Sequence, residues 1–176
     1  NIESYFESFI LNYPGSPESG TLLIELGHRK KRLRRYSEAI RHYQDALDSG
    51  LDSAMAAKVH YWKAEALVEA GDYDGARAEF LLLADSFPSS EWSAKALYAR
   101  GRLFLSENRY NSTSTAFELL KERYPNDPVT RGVGTALGES YYQQGRYKEA
   151  IEALDAQMIF LDDISIIKAL FLMAEA

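Results

Sequence analysis

The amino-acid sequence predicts an all-α protein, an α-solenoid in which antiparallel helix pairs are stacked. The first observation is a polar turn followed by an apolar run at Tyr36, Tyr73, Tyr110 and Tyr147, with intervals (73−36, 110−73, 147−110) of 37 residues each. The second is that apolar residues between the turns recur at every third or fourth position, as in amphipathic helices. A fixed period of about 20–50 residues is typical of repeat arrays. The pattern predicts about ten helices.

Each repeat is predicted to be two helices in close contact. A small residue stands nine positions before each turn tyrosine and a bulky residue stands seven positions after it. We expect the small residue to let the helices approach and the bulky one to fill the space between them. The small residues are Gly27, Ala64, Gly101 and Gly138, and the bulky ones are Tyr43, Phe80, Phe117 and Leu154.

The period organises the chain as a single array with incomplete ends. The predicted full repeats are residues 17–51, 53–88, 90–125 and 128–160. Residues 2–14 form a half repeat that corresponds to a second helix without its first. Residues 163–176 form another half repeat, a first helix without its second. Because these residues are mostly apolar, we expect a fragment of a longer array or a helix covered by another chain; the alternative is a helix folded back on the last repeat.

Composition excludes several classes of function. The chain has 20 basic and 26 acidic residues, a net charge of −6, which makes nucleic acid an improbable general partner. It has no cysteine, so disulfides and thiolate zinc sites are excluded. The most apolar stretch, at residues 164–176, is too short to cross a bilayer, so no transmembrane span is predicted.

Individual repeats carry a recognisable motif. The segment 137–141, Leu-Gly-Glu-Ser-Tyr, with Ala150 and Leu154, resembles the tetratricopeptide repeat, as do Ala76 with Phe80 and the closing Pro88 and Pro125. The departures include Lys30 where a large apolar residue is expected and Thr113 where alanine is expected.

The junctions between repeats carry a finer resemblance. Tyr13-Pro14, Phe87-Pro88 and Tyr124-Pro125 are each followed by small polar residues, since proline ends one helix and Ser or Asp caps the next. These junctions are similar to those of bacterial cell-envelope members of the family, of the TolA-binding-protein and outer-membrane assembly lipoprotein type. The resemblance implies a bacterial protein in the envelope or periplasm, with the cytoplasm as the alternative.

The resemblance implies that the solenoid is right-handed, and it also implies a binding function. In this family the first helix of each pair lines a concave groove that binds a peptide or partner protein, so we expect a non-catalytic scaffold. The alternative is a self-assembly module, a homo-oligomer formed through the terminal half repeats. The resemblance places apolar anchors at Tyr61, Tyr98 and Tyr142, although Tyr61 and Tyr98 could instead only pack against adjacent helices. It places groups that set polarity and register at Glu65, Arg102 and Glu139, and further groove positions at His28 and Lys31.

One basic run stands out at the predicted end of a helix. Cations there complement the helix dipole, so a solvated face is the simpler interpretation. The alternative is a docking patch for an acidic segment, anionic lipid or nucleic acid. The run consists of Arg29, Lys30, Lys31, Arg32, Arg34 and Arg35.

The sequence predicts no catalytic residues, no metal site and no cofactor. His28, His42 and His60 match no metalloprotease spacing, and we expect His42 and His60 to lie on helix surfaces. Asp72 and Asp74 are predicted in exposed turns, where nothing would raise a carboxyl pKa. The glycines of segment 132–138 are predicted to serve close helix packing.

Overall fold

The computed structural model describes residues 2–157, and in this range the protein is all-helical, as predicted. The predicted half repeat at 163–176 and the end of the fourth repeat lie outside the described residues. A short 3-10 helix covers Pro128–Gly132. The α-helices are α1 (Ile2–Asn12), α2 (Pro17–Arg32), α3 (Tyr36–Asp48), α4 (Ser53–Ala70), α5 (Tyr73–Ser86), α6 (Glu91–Ser106), α7 (Tyr110–Arg123), α8 (Gly134–Gln143) and α9 (Tyr147–Gln157).

The chain forms two compact units, residues 1–93 and residues 94–176, which divide within the first turn of α6. In unit 1, α1 packs on α2, α2 on α3, α3 on α4 and α4 on α5. In unit 2, α7 packs on α8 and α8 on α9. We call α2, α4, α6 and α8 first helices, and α3, α5, α7 and α9 second helices. Each pair lies within the limits of one predicted repeat.

The turns inside the repeats share one backbone conformation. A residue with left-handed φ stands two positions before every turn tyrosine. The N–H that follows it donates back to a carbonyl five residues earlier, as from Arg35 to Lys30 at 2.9 Å. This bond closes the helix end in a Schellman motif. The left-handed residues are Arg34 (φ 58°), Gly71 (φ 83°), Asn108 (φ 57°) and Gly145 (φ 73°).

Three junctions between repeats share a second recurring contact. A hydroxyl near the start of a first helix or of the 3-10 helix donates to the carbonyl of the aromatic residue six positions earlier, which satisfies an acceptor at the end of the preceding helix. We call this contact the junction latch. Its three examples are Ser19 Oγ to Tyr13 O (2.5 Å), Ser93 Oγ to Phe87 O (2.6 Å) and Thr130 Oγ1 to Tyr124 O (2.7 Å).

The start of the fourth repeat departs from the prediction. A 3-10 helix ends at Gly132 before α8 begins at Gly134. A Cβ at Gly132 would meet no atom within 4 Å, so the prediction that this glycine serves close packing is wrong. Glycine has a low helix propensity, and Gly132 lies at the break between the 3-10 helix and α8. Gly138 does lie against a partner, Leu154, as predicted for close helix packing.

The prediction that His42 and His60 lie on helix surfaces is also wrong. His42 is buried in α3, which contacts both α2 and α4. His60 is mostly buried, and its Nδ1 lies 2.5 Å from Oε1 of Glu79 on α5. Both α3 and α4 pack against two neighbouring helices, so each has more than one buried stripe, which the amphipathic pattern alone does not reveal.

Within residues 2–157 no helix combines the length and apolarity needed to cross a bilayer.

Candidate functional site

The first helices of unit 1 bring aromatic side chains together. The ring centroid of Tyr61 on α4 lies 5.0 Å from that of Trp92 and 5.5 Å from that of Phe80. Tyr61 is half-buried, and burial raises the pKa of its hydroxyl. It therefore contacts a second helix through one edge and remains partly accessible. The ring geometry fits both predicted roles of Tyr61, as an anchor in the groove and as a residue that packs against adjacent helices.

Trp62 extends this cluster toward α2. Its ring meets His28 edge-on with centroids 4.5 Å apart, and its centroid lies 6.5 Å from that of Trp92. We call His28, Tyr61, Trp62 and Trp92 the aromatic row. All four side chains are half-buried. Such rings offer a large contact area with little conformational entropy to lose on binding.

The sequence-based prediction of groove residues did not include either tryptophan of the row. They are the protein's two tryptophans, and both lie within first helices. The family's groove position in this repeat is Tyr61. Trp62 is the next residue along the helix and points about 100° away, so the repeat register did not include it. The signal that finds them is residue type, since tryptophan is enriched at binding hot spots.

His28 is held within the row by a hydrogen bond. Its Nδ1 lies 2.8 Å from the hydroxyl of Tyr43, a buried residue on α3. Burial lowers the pKa of His28 and raises that of Tyr43, so both side chains are neutral near pH 7. His28 therefore contributes a neutral ring to this face, and not the cation that a charged groove would use.

The predicted groove charges of unit 1 pair with each other. Nζ of Lys31 lies 2.9 Å from Glu65 and 3.3 Å from Glu69. Burial alone would lower the pKa of Lys31, but the hydrogen bonds that its ammonium group donates to these two glutamates, together with their charges, outweigh this effect and raise the pKa. The pairing leaves a polar flank of fixed geometry beside the aromatic row.

The basic run does not form one solvated face. Lys30 is buried, and its Nζ lies 3.2 Å from both Glu3 on α1 and Glu38 on α3. Arg29 also pairs with Glu3, at 2.7 Å. The solvated-face interpretation is therefore wrong for Lys30, whose aliphatic stem occupies the place of a large apolar residue while its amine reaches carboxylates. The exposed members of the run are Arg32, Arg34 and Arg35.

The predicted groove residues of unit 2 lie on α6 and α8. Tyr98 is half-buried with its ring centroid 5.8 Å from that of Phe117 on α7. The ring centroid of Tyr142 lies 5.6 Å from that of Tyr147, the first residue of α9. Arg102 is exposed. Glu139, also on α8, is half-buried.

A buried polar cluster joins α3, α4 and α5 away from the aromatic row. Glu79 is buried and accepts from Lys63 at 2.9 Å as well as contacting His60. Lys63 also donates to Gln44 at 2.8 Å. Burial alone would raise the pKa of Glu79, but its hydrogen bonds outweigh this and lower it. The cluster is connected throughout, as buried charge requires.

A cleft of about 530 Å³ opens at the junction between α5 and α6. None of the residues predicted for the groove lines it. The part of the chain that the structure describes holds no group of three or more His, Asp or Glu side chains arranged for a metal ion. The lining of the cleft includes Ser53, Lys58, Phe87, Pro88, Glu91 and Trp92.

Comparison with known proteins identifies the repeat. Residues 24–91 and residues 135–157 each match a family model of the tetratricopeptide repeat, and together they span more than half of the chain. No curated protein matches the sequence.

Solved structures share the fold. The chain is similar to the MamA protein, with 18% identity, a TM-score of 0.69 and coverage of 91% of this chain and 81% of that one. A tetratricopeptide repeat protein from Parabacteroides merdae gives 20% identity, a TM-score of 0.66 and coverage of 98% and 66%. YrrB, described as a TPR protein with an unusual peptide-binding site, gives 17% identity, a TM-score of 0.65 and coverage of 95% and 80%.

Proposed function

Because the chain belongs to the tetratricopeptide-repeat family, we propose that it is a non-catalytic scaffold that binds a peptide or partner protein on the faces of its first helices. The observation that carries the proposal is the aromatic row of unit 1. Half-buried tryptophan and tyrosine rings on successive first helices are a composition typical of binding hot spots. The peptide-binding site described for YrrB, which has the same fold, supports the same class of function.

The aromatic row supplies the apolar part of the proposed contact. The rings of Tyr61, Trp62 and Trp92 are fixed by one another before a ligand arrives, so binding orders few side chains. The ion pair of Lys31 with Glu65 flanks the row and offers polar atoms to a peptide backbone. Apolar anchoring in a pre-organised face with a polar flank favours an extended or helical segment over a small metabolite.

In unit 2 the proposed contacts are Tyr98 and Tyr142. Arg102 and Glu139 set the polarity and register of the bound segment there. A scaffold of this kind acts by positioning partners, so the proposal needs no reacting group.

We further propose that the partner belongs to a bacterial envelope complex. The support is the aromatic-proline junctions at Tyr13, Phe87 and Tyr124. Fractionation of a source bacterium, followed by detection of the protein with an antibody, tests this location. Recovery with the periplasmic or membrane fraction is expected, and recovery in the cytosol alone would contradict it.

A peptide selection tests the binding function directly. Peptides selected on the immobilised chain from a random display library are titrated in solution while tryptophan fluorescence is recorded. Because both tryptophans lie in the aromatic row, a ligand at this face changes the emission.

The matched variants are Trp62→Ala and Tyr73→Ala, where Tyr73 is an exposed aromatic residue at the start of α5. Trp62→Ala should weaken binding of a labelled peptide by about 1–3 kcal/mol with helicity retained, and Tyr73→Ala should leave binding unchanged. Equal affinities in the two variants would place the binding surface elsewhere.

A further inference from the structure

The cleft of about 530 Å³ at the junction between α5 and α6 lies beside the aromatic row and shares a residue with it. Trp92 lines the cleft, and its ring centroid lies 5.0 Å from that of Tyr61 and 6.5 Å from that of Trp62. A segment held by the row therefore reaches the cleft across the ring of Trp92. All the residues that line the cleft belong to unit 1.

The junction that forms one wall of the cleft is held in place. The carbonyl of Phe87 accepts from the N–H of Ser90 at 2.9 Å and from the hydroxyl of Ser93 at 2.6 Å. The ring of Phe87 lies against that of His60 on α4, with centroids 5.5 Å apart. Ser90 Oγ accepts from the N–H of Trp92 at 3.2 Å. The cleft is therefore formed before a ligand arrives, so binding requires little ordering of this loop.

An unpaired ammonium group lines this cleft. Lys58 on α4 is half-buried, and within residues 2–157 it has no hydrogen-bond or ion-pair partner. The other lysines of unit 1 each pair with a glutamate, and they are Lys30, Lys31 and Lys63. A half-buried cation has lost part of its hydration, so an anionic hydrogen-bond acceptor is its favoured partner.

The rest of the lining favours a single carboxylate beside an apolar surface. Ser53, Ser86 and Ser89 provide hydroxyl groups that can donate to an anion, and Pro88 provides apolar surface. Glu91, in the first turn of α6, also lines the cleft and is exposed. Its charge opposes every anion in the cleft, and it opposes a doubly charged phosphate more strongly than a carboxylate.

We propose that the cleft binds an aspartate or glutamate side chain of the peptide that the aromatic row holds, with the carboxylate paired to Nζ of Lys58. The inference rests on the proposed function of the row and adds a charge requirement to it. Lys31, on the flank of the row, is already neutralised by Glu65 and Glu69. Because the net charge of the chain is −6, a preference for an acidic peptide has to come from this local contact.

Parallel peptide selections test the charge requirement. The wild-type chain and the Lys58→Met variant are each immobilised and exposed to the same random display library. Methionine keeps most of the length of the lysine side chain and removes its charge. We expect aspartate and glutamate to be enriched at a fixed spacing from an apolar residue among the peptides selected on the wild type. The peptides selected on Lys58→Met should lack this enrichment.

Titration of one peptide selected on the wild type isolates the contact. Its analogue has the acidic residue replaced by the corresponding amide, and both peptides have an amidated C-terminus. The replacement should weaken binding to the wild-type chain about five- to tenfold and should leave binding to Lys58→Met unchanged. Lys148→Met, at an exposed lysine of α9, is the control for net charge and should bind like the wild type. Glu91→Gln should bind the acidic peptide more tightly than the wild type does.

Three results would overturn this inference. The first is that Lys58→Met selects and binds acidic peptides as well as the wild type does. The second is that Lys58→Met loses affinity equally for the acidic peptide and its amide analogue, which would indicate a packing role. The third is that only a free C-terminus strengthens binding, which would show that the cleft binds a chain end.

The effect of Trp62→Ala distinguishes failure of this inference from failure of the proposed function. A selected peptide that depends on Trp62 and not on Lys58 would leave the aromatic row as the binding face and remove the cleft from it. A library that yields no specific peptide, or peptides whose affinity is independent of Trp62, would overturn both. Circular dichroism should show equal helicity in all variants.

Discussion

A Cβ atom placed on Gly27 would lie 2.6 Å from a ring carbon of Tyr43, closer than side-chain atoms approach one another. The same relationship recurs between Gly101 and Phe117, at 2.5 Å. The first and second helices of these repeats are therefore as close as the missing side chain permits. The bulky partner is fully buried in both pairs, so it has no free space into which to move.

Gly27→Ala should lower the free energy of unfolding by about 1–3 kcal/mol, because an added methyl group overpacks the contact with the Tyr43 ring. Denaturant unfolding followed by circular dichroism measures the change. Gly15→Ala is the matched control, since a Cβ there meets nothing within 4 Å. Equal stability of the two variants would show that the helices separate at little cost.

Arg34→Gly should raise the stability by about 1 kcal/mol, because arginine carries a Cβ penalty in the left-handed conformation that glycine avoids. Gly145→Ala, at the equivalent turn of the fourth repeat, should have the opposite effect of similar size. Thermal unfolding of both variants provides the comparison. A less stable Arg34→Gly variant would mean that the lost side-chain contacts outweigh the relief of backbone strain.

Phe80→Ala should lower the stability by about 3–5 kcal/mol, since it removes a buried aromatic ring between α4 and α5. Leu82→Ala on the same helix is the control, because Leu82 is exposed. Its expected change is within about 0.5 kcal/mol. Urea denaturation of the two variants under identical conditions distinguishes the free energy lost by removing a buried ring from the change caused by helix propensity alone.

Glu79→Gln should lower the stability near neutral pH by about 3 kcal/mol, because it removes the carboxylate that His60 and Lys63 share. The folded-state pKa of Glu79 lies below its ordinary value of 4.5. The carboxylate therefore stabilises the fold above pH 4.5, and this contribution is lost as the pH falls through the folded-state pKa.

Unfolding free energies of both proteins across a pH series measure the difference. The gap should shrink as the pH falls below 4.5, the ordinary pKa of the carboxyl group. A gap of undiminished size at pH values well below 4.5 would contradict the assigned ion pairs.

Tyr98→Ala should weaken partner binding by about 1–3 kcal/mol and leave helicity intact if the ring is an anchor in unit 2. The ring also rests on Phe117, so the same variant reports on packing. Calorimetric titration with a selected peptide and thermal unfolding are measured in parallel. Loss of stability with unchanged affinity would assign Tyr98 to the interior.

The repeat architecture could be predicted because the helix pairs depend on residues with strong sequence signatures. A small residue opposite a bulky one recurs every 37 positions, and the close contacts at Gly27, Gly101 and Gly138 follow that register. Proline and glycine mark several of the helix ends. The all-α class needs little more than this periodicity, since neighbouring repeats are held by the same contacts.

The site was less accessible to sequence reasoning. The left-handed turn at Arg34 leaves no signature, because arginine is not a residue type that favours this conformation. The pairing of Lys31 with Glu65 joins α2 to α4 and depends on how consecutive repeats pack. Lys30 is buried by carboxylates from two other helices, which a helix pattern cannot show. Contacts between repeats therefore determine the chemistry of the proposed binding face.

The junction latch has a consequence for how such chains can change in length. Its donor and acceptor lie within seven consecutive residues, as in segment 87–93, so the connection depends on no distant part of the molecule. A copy of the 37-residue unit inserted at this point would contain the donor and the acceptor of its own junction latch. Lengthening or shortening the protein by whole units at such a junction therefore preserves this local contact.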